Sequence, residues 1–116
     1  DVYKRQNRIL IFKDGSVSEF TIAPEDLGFT RGEKESFKGG TPKENAEITS
    51  RILGGEKSSR SDTVLFNAAL ALYAAGKVDN LSEGVALARE SILSGSAKRV
   101  LISLLELSQS LSRGGV

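Results

Sequence analysis

From Val64 to Ala75 the chain runs through 12 residues of which Asn67 alone is not apolar. Such a run has no polar face to turn toward water, so it predicts a central helix with other elements packed around it. It is too short for the roughly 20 residues that cross a bilayer, which argues against a membrane role. Gly76 follows at once and should end the helix, and the start is expected near Ser61 or Asp62. A chain of 116 residues with 39% apolar content can bury one core around such a helix, so one domain is expected. Inside that helix the Asn67 amide must be paired or cost about 1 to 3 kcal/mol, so it is expected to tie the helix to a neighbouring loop or strand. The Tyr73 hydroxyl makes the same demand.

The remaining pattern supplies what could surround it. Arg8 to Lys13 and Val17 to Ile22 read as strands, and Asp14-Gly15 near their junction is a strong signal for a primed hairpin turn. Ile9, Leu10, Ile11 and Phe12 put apolar side chains on both faces of the first strand, which predicts cover on each side. Pro24-Glu25-Asp26-Leu27-Gly28 reads as a tight or single helical turn closed by a left-handed glycine, and Phe29 to Gly40 as a surface loop. Thr41-Pro42-Lys43-Glu44 is a capping box with Pro at the first helical position. It should open a helix to about Leu53, with Ala46, Ile48, Ile52 and Leu53 inward and Gly54-Gly55 ending it. After the apolar helix, Asn80 and Glu83 begin another with Leu81, Val85, Ala88 and Ile92 on one face, as far as Gly95. A fourth follows Ser96, with Ala97, Leu101, Leu104 and Leu105 toward the core, Leu111 near its end, and fraying from Ser112 to Val116. The expected architecture is an antiparallel hairpin followed by four helices.

Composition removes most catalytic chemistry. With no Cys and no His there is no thiol nucleophile, no imidazole base, no disulfide and no zinc finger. Sixteen Lys and Arg against 15 Asp and Glu leave a formal charge of +1, too little for a bulk field that would recruit nucleic acid. Gly54-Gly55-Glu56-Lys57, with Arg60 nearby, and Gly39-Gly40 precede helix starts, where free N-H groups can hold phosphate. Neither has phosphate-loop spacing, so both are expected to be connections. Glu25-Asp26 is an adjacent carboxylate pair of the kind that holds magnesium, but without further oxygen donors it is expected to be a solvated turn. Lys98-Arg99 is expected to be a solvated face. No catalytic, substrate-binding or metal residue is therefore assigned.

The chain contains no Met, and Asp1-Val2-Tyr3-Lys4-Arg5-Gln6 lacks the apolar stretch of a signal peptide. One back-translation of these six residues reads as the end of a transposase sequencing adapter. Residues 1–6 are thus expected to be a non-native leader outside the fold, with residues 7–116 as the folded segment. Without Asp1, Lys4 and Arg5 the charges balance.

Taken in order, Lys13-Asp14-Gly15, Pro24-Glu25-Asp26-Leu27-Gly28, Gly39-Gly40 with Glu44-Asn45-Ala46, Leu53-Gly54-Gly55-Glu56-Lys57, Asp62 to Ala69, and Leu72-Tyr73-Ala74-Ala75-Gly76 resemble the C-terminal segment of the anthranilate phosphoribosyltransferases, from about residue 8 to residue 105. Phe66 stands where that family commonly has Leu. The resemblance implies the C-terminal part of the α/β catalytic domain of the nucleoside phosphorylase and phosphoribosyltransferase fold. It also implies a cytoplasmic enzyme of tryptophan biosynthesis that transfers phosphoribosyl from phosphoribosyl pyrophosphate to anthranilate with magnesium. The family's Gly-Thr-Gly-Gly-Asp phosphate loop, Lys-His-Gly-Asn segment, anthranilate-contacting arginine and Asp-Glu metal pair have no counterpart here. This segment is thus expected to supply scaffold, to bind no magnesium itself and to be inactive alone, with homodimerisation through the upstream region. A fragment of a pyrimidine-nucleoside phosphorylase relative, or a helical interaction module without chemistry, are the alternatives.

Overall fold

Asp14 and Gly15 both take positive φ, 53° and 76°, in the computed structural model, which describes residues 2–3 and 5–114. That pair of left-handed residues is the primed turn whose twist matches two antiparallel strands. It joins β1 (Asn7–Lys13) to β2 (Ser16–Ile22), in register from Asn7 opposite Ile22 to Lys13 opposite Ser16. Ile9 and Ile22 pack against the core. On the opposite face Leu10, Phe12 and Val17 stand exposed beside an Arg8–Glu19 ion pair (Nη2 to Oε2, 2.9 Å). The cover expected on both faces of β1 is present on one, because the helices all follow the hairpin and reach it from a single side.

The chain then makes a 3-10 turn over Pro24–Leu27, closed by Gly28 at φ 77°. The stretch expected to be a surface loop holds a second 3-10 turn, Lys34–Phe37, and a core residue, Phe29, which is 3% exposed. The leader is drawn into this corner. Val2 is fully buried, its carbonyl accepts from the Gly32 N-H at 3.1 Å, and the Tyr3 ring lies 5.3 Å from that of Phe37. Exclusion of residues 1–6 from the fold is therefore corrected for Val2 and Tyr3: an apolar valine next to the Phe29 loop gains more from burial than it loses in chain freedom. Asp1 and Lys4 lie outside the described residues.

Helix α1 (Pro42–Leu53) begins as its capping box requires: the Glu44 N-H donates to Thr41 Oγ1 at 3.3 Å and the Thr41 N-H to Glu44 Oε2 at 2.6 Å. That donated bond holds the Glu44 carboxyl below its ordinary range. Ile52 is buried and Ile48 and Leu53 half-buried, but Ala46, expected to face inward, is exposed. Helix α2 (Ser59–Ala74) starts two to three residues earlier than expected because Ser58 caps it, exchanging hydrogen bonds with Ser61. Helix α3 (Leu81–Leu93) is capped by Asn80, whose Oδ1 accepts from the Glu83 N-H at 2.9 Å. Asn80→Ala is expected to cost about 1 kcal/mol, read as a lower midpoint in a urea melt at unchanged slope.

Leu65, Phe66 and Ala69 of α2 meet Leu81, Val85 and Ala88 of α3 to form the core, with Val2 and Phe29 at its edge. The two helices come close where Gly84 faces Ala69. Helix α4 (Ser96–Arg113) has no buried residue. Leu101 is half-buried, but Leu104 and Leu105, expected in the core, are exposed, as is Leu111. The helix leaves the body after its first turns, so its stripe finds no neighbour to pack on. It also stays regular to Arg113, past the expected fraying at Ser112; Gly115 and Val116 lie outside the described residues.

Candidate functional site

An open groove of about 820 Å³ lies between the end of α1, the outer side of α2, the second half of α3 and the first turn of α4. Its walls include Leu53, Val64, Ala68, Leu72, Leu87 and Ala97, and the charged residues on its lining are Lys77 and Glu90. It exists because α2 is apolar on all sides while α3 covers only one. Leu65 and Phe66 are buried, yet Val64 is 41% exposed and Ala71 is open. The groove offers a surface for apolar contact and brings no pair of titratable groups together for acid-base work.

None of the sequence candidates converges on it as a reactive group. Asn67 is exposed, and its Nδ2 donates to the Thr63 carbonyl at 2.9 Å, one turn back in the same helix. The expected tie between elements is thus a bond within α2, possible because α3 packs on the opposite side. Tyr73 is half-buried and lines a cleft between the hairpin and α3, with Ile11, Phe20 and Asp79.

Both phosphate-loop candidates are connections. In the first, Gly55 sits at φ 95°, the Glu56 N-H returns to the Arg51 carbonyl, and Arg51 pairs with Glu56 at 3.3 Å. Ser58 and Ser61 occupy N-H groups at the start of α2 that an anion would need. Arg60 donates to the Lys38 carbonyl at 2.8 Å. In the second, the Gly40 N-H donates to Asn45 Oδ1 at 2.9 Å, and Asn45 Nδ2 donates to the Gly40 carbonyl at 3.1 Å. That clamp gives Gly39-Gly40 ahead of Glu44-Asn45-Ala46 a structural purpose.

Among the described residues, the adjacent carboxylates Glu25 and Asp26 are engaged within the protein. Asp26 Oδ2 accepts from the Ala23 N-H at 2.8 Å and Glu25 pairs with Arg31 at 3.2 Å. Among the described residues no three Asp or Glu side chains gather as an oxygen cage would require. Arg99 turns back on the Ser96 hydroxyl at 2.9 Å, and Lys98 is exposed. Asp62 is the carboxyl whose environment resists ionisation: partial burial raises it, and the charge of Arg89 offsets part of that. Among the described residues no helix is long and apolar enough to cross a membrane.

Sequence reasoning read Gly54-Gly55, Gly39-Gly40 and Glu25-Asp26 as connections and turns, but it missed the groove, the Ser58 cap and the Asn45 clamp on Gly40, and it placed the partner of Asn67 in another element. The apolar run was read as packed on all sides, so the groove left along one side of α2 was not anticipated. Ser58 was hidden among Ser58, Ser59 and Ser61, each able to serve as a cap.

Comparison with known proteins gives this scaffold its relatives. The model of the glycosyl transferase family, a/b domain, matches residues 4–98. An anthranilate phosphoribosyltransferase of Bacillus cereus is 50% identical over 92 residues, covering 79% of this chain and 27% of its own length. One from Methanobrevibacter smithii is 48% identical over 98 residues, covering 84% and 29%. The crystal structure of anthranilate phosphoribosyltransferase from Thermus thermophilus superposes with a TM-score of 0.69 at 44% identity, over 73% of this chain and 26% of that one. The resemblance carried by the ordered motifs is therefore borne out, and the chain spans little more than a quarter of the relatives' length. With a family match over most of its residues and a hairpin and helices that superpose on a solved relative, the chain belongs to the glycosyl transferase family, in its a/b domain.

Proposed function

We propose that this chain is part of an anthranilate phosphoribosyltransferase, moving phosphoribosyl from phosphoribosyl pyrophosphate to the amine of anthranilate with release of pyrophosphate. The observation that carries the reading is the identity of 48 to 50% to enzymes of that name from a bacillus and a methanogen. In this reading residues 7–116 are scaffold. The transfer needs donors for a polyanion and neutralisation of the departing pyrophosphate, and the helix start beside Gly54-Gly55 is instead closed by the bonds of Ser58 with Ser61. Magnesium, a homodimer formed through the upstream region and a cytoplasmic location belong to the same proposal.

The test replaces the matched segment of the Bacillus cereus relative with the 92 residues of this chain that align to it. The chimera, given both substrates and magnesium, is expected to form phosphoribosylanthranilate at a rate within about tenfold of the parent, since loss of one catalytic group would cost at least about a hundredfold. The 116-residue chain alone is expected to give no turnover above a heat-treated control. Turnover by the isolated chain would overturn its role as scaffold, and a folded but inactive chimera would overturn the assignment.

A further inference from the structure

We draw no further inference here: the strongest candidate, the apolar stripe of Val100, Leu104, Leu107 and Leu111 along α4 together with the groove it meets beside α2 and α3, is an unpartnered face, and nothing in the structure shows what covers it.

Discussion

Phe66→Ala is expected to cost about 3 to 5 kcal/mol, enough to leave much of the chain unfolded if its native stability lies near the low end of the usual 5 to 15 kcal/mol. The ring is 2% exposed and is the largest fully buried side chain. It belongs to a core in which Leu65, Ala69, Leu81, Val85 and Ala88 sit on two helices, beside Val2 and Phe29. Helices held by their own hydrogen bonds cannot collapse far into the space a lost ring leaves, so a cavity penalty adds to the lost transfer free energy. Urea denaturation followed by circular dichroism reads the change as a lower midpoint at similar slope. Phe66→Leu, which installs the residue common in the resembled family, should cost less than about 1.5 kcal/mol. A Phe66→Ala loss below about 1 kcal/mol would mean that α2 and α3 do not hold this ring between them.

Gly84→Val is expected to cost about 3 kcal/mol or more, at the upper end of what overpacking does. A Cβ at Gly84 would come 2.9 Å from both the Cα and the Cβ of Ala69 and 3.1 Å from its carbonyl oxygen. Two of these three atoms are backbone, so no rotamer change relieves the clash and α3 must move away from α2. Gly84→Ala isolates the same contact. At an open helical site it would stabilise by nearly 1 kcal/mol through helix propensity, whereas here the expected sign is reversed. Adding Ala69→Gly should recover only part of the loss, because Cα and the carbonyl remain, and a double-mutant cycle reads that coupling. A stabilising Gly84→Ala would show the helices to be farther apart than the structure places them.

What the sequence disclosed divides by range. Features decided within a few residues were legible: the Asp14-Gly15 turn, the Thr41–Glu44 box, the Asn80 cap and the left-handed Gly28 each follow from local sterics and hydrogen bonding. Features decided by which elements lie nearby were not. Leu104 and Leu105 read as core because the period of α4 is that of a buried helix, and periodicity tells which face is apolar without telling whether anything covers it. Asn67 read as buried for the same reason, since a helix apolar all round implies neighbours all round. Phe29 and Val2 were missed from the opposite side. Each is one apolar residue in a polar, glycine-rich or discarded stretch, with no period to announce its burial. The site followed the same division: the absence of Cys and His already removed most chemistry, while the groove required knowing that α3 takes one side of α2 and leaves the other.

The strongest packing joins β1 to β2 and α2 to α3, pairs that are adjacent in the chain and linked by short connections. The consequence is one of timing. Loop closure is cheap between such neighbours, and topologies rich in local contacts fold in microseconds to milliseconds, much faster than a ribosome adds residues at about 5 to 20 per second. The hairpin and the α2–α3 unit can therefore each close without waiting for distant residues, the latter around Phe66. Helix α4 packs on α3 and α1 far less than α2 packs on α3, so it adds little to the speed with which these units close.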